Sequence, residues 1–399
     1  MRRRTTSQPR IALALAGGGP LGAIYEIGAL CALEESLDGL ALHRLDHYVG
    51  VSAGGFIAAG LANGMTAREL CAAFIDPQGG GDVFDPAWLM VPAYGEFLRR
   101  GLMVPGLAAS ALWRATLGRK SILSSLERLG PSLPTGLFSS EEIDRRLADL
   151  FSRPGRTNDF RRLRTRLTLV ATHLDTGEAA PFGRPGWDHV PISKAVQASA
   201  ALPGLFAPVR IGDHHFVDGA LKKTLHATVA LDEGVDLMLC INPLVPFNAT
   251  DPARGIPRIV DGGLPAVLSQ TFRSMIHSRM ALGMKHYERA YPDTNIVLIE
   301  PDQHDAQLYQ ANTFSYRQRR ELAEHAYQQT RALLLARAPA LAPRLARHGV
   351  DLREDVLREP RQLVARRPHA TRVGRAMASL QQSMDDLARL LPPPARQAL

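Results

Sequence analysis

Cysteine is scarce in this chain of 399 residues: there are three, Cys31, Cys71 and Cys240. The number is odd and no two have metal-ligand spacing. That argues against a disulfide framework and a cysteine zinc site, and it fits a reducing cytoplasm. No run of about 18 apolar residues occurs, so no transmembrane helix is expected and any membrane contact is at the surface. No EF-hand-like series of acids appears, and no His–carboxylate cluster has ligand spacing. Neither a metal nor a cofactor is expected. Internal repeats are missing too.

What is present reads as an ordinary globular protein, with 45% apolar and 22% charged residues. The formal charge of +8 and the pI of about 9.7 favour anionic surfaces, although solubility alone explains them as well. The length exceeds what one core usually fills. The opening "MRRRTTSQPRIALALAGGGP" imitates a secretion signal, basic and then apolar. Its apolar run is short and closes in glycines and a proline, with no small-x-small cleavage pattern. Residues 1–9 therefore read as a basic tail and Ile11–Ala16 as a first strand.

Strand-like and helix-like stretches then alternate. Ala23–Glu35 predicts a helix with Ile24, Ile27, Leu30 and Cys31 on one face. His47–Ser52 predicts a strand, followed by a small-residue helix stopping near Gly64. Leu167–Thr172, Val235–Ile241 and Ile296–Ile299 predict further strands. Buried strands separated by helices indicate a mainly parallel sheet covered on both faces. "LFSSEEIDRRLADLF" predicts a helix capped by Ser139 or Ser140, with Ile143, Leu147 and Leu150 inward. "RTNDFRRLRTR" is strongly basic: a phosphate-facing patch, or more plainly a solvated face.

Between about 82 and 134 the pattern breaks. Trp88, Leu89, Met90, Phe97, Leu102, Met103, Val104 and Trp113 are interleaved with Arg99, Arg100, Arg114, Arg119 and Lys120. A helical insertion with its own small core is the plainer reading; a cap or lipid-facing surface is the other. Residues 336–399 read as a helical extension. Val373, Met377, Leu380, Met384, Leu387 and Leu391 form an a/d stripe there, ended by Pro392, Pro393 and Pro394. The stripe would dock on the main domain, pair with a second copy or lie on a membrane.

Three motifs carry chemistry. "AGGGPLGA" joins the first strand to the first helix, and Gly17, Gly18, Gly19 and Gly22 leave backbone N–H groups free to face an anion. Gly17, Gly19 and Gly22 also fit the dinucleotide pattern G-x-G-x-x-G. That reading needs an acid at the end of the second strand, where Ser52 stands instead. "GVSAG" supplies Gly50, Ser52 and Gly54, a G-x-S-x-G between a strand and a helix. The glycines permit a tight turn that lifts the hydroxyl to the sheet edge, at a helix N-terminus. "FVDGA" places Asp218 before Gly219, which alone would pass for an Asp-Gly turn.

The glycine loop, the G-x-S-x-G close behind it and the distant D-G-A, in this order, resemble the patatin-like phospholipase family. "AVQASAALPGLFAPV" and the later "LIEPDQHDAQLYQANTFSYRQRRELAEHAY" are also similar to segments of its members. The resemblance implies a three-layer α/β/α sandwich over residues 10–335, with a motif core at 10–230. It implies Ser52 as nucleophile, Asp218 as base with no histidine, and an oxyanion hole at Gly17–Gly19. Its substrate would be a phospholipid or other acyl-ester lipid. An anionic membrane surface is then the expected contact and nucleic acid is not; homo-oligomers through the C-terminal helix are an option. Leu21 stands where members often carry Lys or Arg. A rival is an α/β-hydrolase triad completed by His286, His304 or His325, with His214 and His215 also near the aspartate. A non-enzymatic membrane-adhering scaffold is the other.

Overall fold

The computed structural model describes residues 9–76, 91–102, 133–250, 258–311 and 318–364. Most of the insertion and the whole C-terminal stripe lie outside the described residues.

Five short apolar runs form the parallel heart of the sheet: β1 (Ile11–Leu15), β3 (His47–Val51), β5 (Arg166–His173), β10 (Leu237–Ile241) and β11 (Asn295–Ile299). The order across the sheet is β11-β10-β1-β3-β5, each neighbour parallel. The sheet continues through β9 (His214–Asp218) and β8 (Val209–Ile211), which run antiparallel, and β6 (Ala179–Phe182) pairs with β5. β1 and β3 are buried throughout, as expected of strands covered on both faces. Ala12, Ala14 and Ala16 pack with Met238 and Cys240 against Met280 and Tyr287. Leu13 and Leu15 alternate to the opposite face, toward α2 (Ala53–Ala62), which packs beside α1 (Gly19–Ser36). The result is a three-layer α/β/α architecture with a mixed central sheet.

Several elements depart from their sequence pattern. Helix α1 starts at Gly19, with Pro20 in its first turn, four residues before the expected Ala23. Proline is preset for the first helical turn and needs no N–H there. α1 is also buried on nearly every side rather than on one face, because α8 (Arg319–Ala346) packs along it. Tyr327 donates to Glu35 at 2.5 Å and Arg331 pairs with the same carboxylate. Helix α3 (Ala67–Phe74) carries a full capping box between Thr66 and Glu69.

In the insertion, α4 (Tyr94–Gly101) leaves Phe97 and Leu102 exposed. Helix α5 (Glu141–Phe151) buries Ile143, Leu147 and Phe151; Leu150, expected inward, is only partly covered. Ser139, not Ser140, accepts from the Glu141 amide (3.3 Å), while the Ser140 hydroxyl takes a bond from Gln197 of α6 (Ile192–Ser199). Helix α7 (Gly263–Ala290) lies across the loops that follow β10 and β9.

Position 336 falls inside α8, which runs unbroken past it despite Pro339 and Pro343. Beyond it, β12 (Asp351–Leu352) pairs antiparallel with β2 (Leu37–Asp38), tying this stretch to the end of α1. The described residues up to Leu363 form one compact unit.

Candidate active site

Two strands meet head-on along one edge of β5. β3 pairs with β5 up to Val51 opposite Val170. β9 arrives from the other direction and ends with Asp218 opposite Ala171, the next rung. β6 occupies the other edge over the same residues. Ser52 directly follows β3, so the register alone brings it beside Asp218. The Ser52 side chain lies close enough to the Asp218 carboxylate to favour its ionised form. Both are buried, at 7% and 3% exposure.

Ser52 has φ 53° and ψ −122°, outside the regions open to most L residues, and α2 begins at the next position. The turn is locked from several sides. The Ser52 N–H donates to Ser199 Oγ (2.8 Å), and Ser199 Oγ donates onward to the Val170 carbonyl (2.6 Å). The Gly54 N–H donates to the Ala16 carbonyl at 3.1 Å. A Cβ on Gly54 would stand 2.5 Å from the Leu15 carbonyl oxygen, so only glycine lets α2 approach β1 this closely. Ser199 was not singled out by the sequence; a serine in a small-residue helix carries no signal of its own.

Asp218 is positioned by the strand end and by the turn after it. Its N–H donates to the Ala201 carbonyl (3.0 Å), and its carboxylate accepts from the Ala220 N–H (2.8 Å). Burial pushes the carboxyl up to about 6, against the opposing pull of the Ser52 hydroxyl and the Ala220 amide. Gly219 is required here, since a Cβ would fall 2.1 Å from the Val170 carbonyl oxygen.

The glycine loop closes the third side. The Gly17 Cα faces Ser52: a Cβ there would lie 3.1 Å from Ser52 Cβ and 3.7 Å from its Oγ. The amides of Gly17, Gly18 and Gly19 find no acceptor among the described residues. Gly22 has a structural part, donating to the Gly18 carbonyl at 3.0 Å as the helix starts. Gly50 packs under α2, where a Cβ would meet Gly55 and Ala58 below 3 Å. Further along α1, Glu26 is fully buried and both its carboxyl oxygens lack a hydrogen-bond partner. Burial holds its carboxyl well above the usual range.

No histidine among the described residues hydrogen-bonds either member of the pair. His304 bonds Asp302 and His325 bonds Asp305; His214 bonds His173. His286 stacks edgewise on Tyr287. The nearest buried imidazole is one the sequence did not flag, His226. It has φ 45° and meets the Gly219 carbonyl (3.3 Å), and burial lowers its pKa to about 4.

The sequence model of the patatin-like phospholipases matches residues 13–231, more than half of the chain and the whole of this site. The protein belongs to the patatin-like phospholipase family. An uncharacterized NTE family protein of Mycobacterium tuberculosis is 24% identical over 305 residues. That alignment takes in 73% of this chain and 42% of the relative, so this patatin-like chain spans well under half of that protein's length. Among solved structures, VipD of Legionella pneumophila overlaps 82% of this chain and 67% of its own, at TM-score 0.37 and 18% identity. Human GIVD cytosolic phospholipase A2 overlaps 86% of this chain and 61% of its own, at TM-score 0.30 and 15% identity.

Proposed function

We propose that this patatin-like protein is a lipid acyl hydrolase working through a Ser52–Asp218 dyad. The observation that carries the reading is the register along β5, which sets buried Ser52 beside the buried Asp218 carboxylate, next to three glycine amides that find no acceptor among the described residues. Asp218 takes the hydroxyl proton as Ser52 Oγ bonds the ester carbonyl carbon. The carbonyl electrons move to oxygen, which the Gly17–Gly19 amides and the α2 N-terminus stabilise. Collapse of the intermediate expels the alcohol, which receives the proton from Asp218. Water then loses a proton to Asp218 and attacks the acyl-enzyme; the fatty acid leaves and Ser52 recovers its proton. An aspartate suffices as base because burial raises its basicity and an alcohol is an easier leaving group than an amine.

Contact with a lipid surface is part of this reading. Helix α7 exposes Leu264, Leu268, Phe272, Met275 and Leu282 at helical spacing. Arg279, Lys285 and Arg289 of the same helix suit anionic headgroups. Arg279 also donates to the Leu221 carbonyl (2.8 Å), three residues past Asp218, so this face borders the dyad.

The test is hydrolysis of a short-chain acyl ester. Ser52→Ala is expected to lower kcat by about a thousandfold or more, and Asp218→Asn by a similar order. His215→Ala and His226→Gln are expected to stay within a few-fold of the parent. Activity that survives loss of Asp218 and disappears with a histidine change overturns the dyad.

A further inference from the structure

The basic run "RTNDFRRLRTR" plays no part in the dyad, and the structure shows where it goes. Four of its five arginines, all but Arg161, line a groove of about 1630 Å³ at the amino ends of β1, β3 and β5. Ser52 lies past the carboxyl end of β3, so the length of that strand, about 16 Å, separates the two regions. Seven arginines line the groove against two carboxylates, Asp46 and Glu233. They come from five separate segments: before β1, before β3, the α5–β5 loop, the first residue of β5, and the turn after β6.

The two carboxylates are already engaged. Asp46 accepts the Ile11 N–H at 2.7 Å. Glu233 pairs with Arg166 and Arg184 and faces His47. Arg44, Arg156 and Arg164 make no salt bridge among the described residues. Three nitrogens of the lining, Arg156 Nη1, His43 Nδ1 and His47 Nδ1, are buried without a hydrogen-bond partner, the last of them facing Glu233. Buried donors without acceptors are uncommon in folded proteins and mark places where a bound group completes the network. Guanidinium groups converging without counter-charge suit phosphate oxygens, which they bind in fork geometry.

We infer that this groove is an anion-binding site, separate from the dyad, for a ligand carrying two or more clustered phosphate groups. Arg44, Arg156 and Arg164 supply the charge, and His43 and Arg156 donate to the phosphate oxygens. The ligand is either a free polyphosphorylated molecule or a multiply phosphorylated lipid headgroup.

The probes are inorganic tripolyphosphate in titration calorimetry, and phosphatidylcholine vesicles with or without phosphatidylinositol bisphosphate in co-sedimentation. Saturable binding near one ligand per chain is expected, weakening at least tenfold in Arg156→Ala/Arg164→Ala. Arg44→Gln, at an exposed position, serves as an independent variant, and melting curves verify the fold of both. Arg353→Ala/Arg358→Ala removes the same charge outside the groove and is expected to leave binding within about twofold. Binding of tripolyphosphate alone points to a free ligand; binding of the phosphoinositide vesicles, with or without the free anion, points to a headgroup. Either supports the site. Absence of saturable binding to both probes, or equal weakening in the control variant, overturns it. Short-chain ester hydrolysis, which reads the dyad, is expected to be unchanged in all three variants.

Discussion

Asp218 shows how one side chain can be costly to the fold and useful to the chemistry. Its carboxyl is raised to about 6 by burial, so the ionised form that the proposed base needs is disfavoured in the folded protein. Two outcomes follow. The kcat/KM profile is expected to fall on the acid side with a midpoint near pH 6, so that activity at pH 5 is about tenfold below its plateau. Stability behaves in the opposite sense. Between the unfolded value near 4 and the folded value near 6 the native state binds more protons, so stability declines as pH rises through that window. Asp218→Asn removes the buried charge and is expected to raise stability at pH 8 by about 3 kcal/mol, seen as a higher melting temperature, while activity is lost. A thermal melt beside the kinetic assay checks both signs. Ser52 was legible through its G-x-S-x-G turn, while Asp218, whose D-G alone reads as a turn, was singled out by the family resemblance. Ser199 and His226 were not, since their roles rest on contacts with Val170 and Gly219, which only the folded chain brings near.

Helix boundaries and helix faces followed packing more than local pattern. The apolar stripe predicted for α1 is real, but the helix is covered on its other sides as well, and no single face marks it as central. Gly28 is the reason α8 can lie so close. A Cβ there would stand 2.5 Å from the Ala323 carbonyl oxygen and 2.9 Å from Ala326 Cβ. Alanine gains about 1 kcal/mol in helix propensity over glycine, yet overpacking of a tight contact costs about 1–3 kcal/mol. Because the nearest atom is backbone and cannot swing away, the second effect wins. Gly28→Ala is expected to lower the melting temperature by several degrees, measured by circular dichroism, with dyad kinetics little changed. The composition change near residue 336 marks no structural break, because α8 spans it and β12 returns to β2.

For the molecule as a whole, the sheet keeps the two proposed sites apart. Ser52, Asp218 and the glycine loop lie at the carboxyl ends of the parallel strands, and the arginine-lined groove lies at their amino ends. Among the described residues no helix is long and apolar enough to cross a membrane. The apolar face of α7 is the proposed lipid contact. Leu268→Asp/Phe272→Asp is expected to reduce hydrolysis of vesicle lipids by about tenfold or more, without changing turnover of a soluble short-chain ester. Equal loss on both substrates would mean that the face matters to folding or to the dyad instead.

The sequence by itself determined the alternation of strands and helices and the elbow at Ser52, because each depends on residues within one short stretch, and the family, because its short motifs stand in a fixed order. Pairing of Ser52 with Asp218, the bonds made by Ser199 and the convergence of distant arginines were decided by tertiary structure alone. Local pattern states which segments become strands; only the register along β5 brings two strand ends to neighbouring rungs and closes a gap of 166 positions.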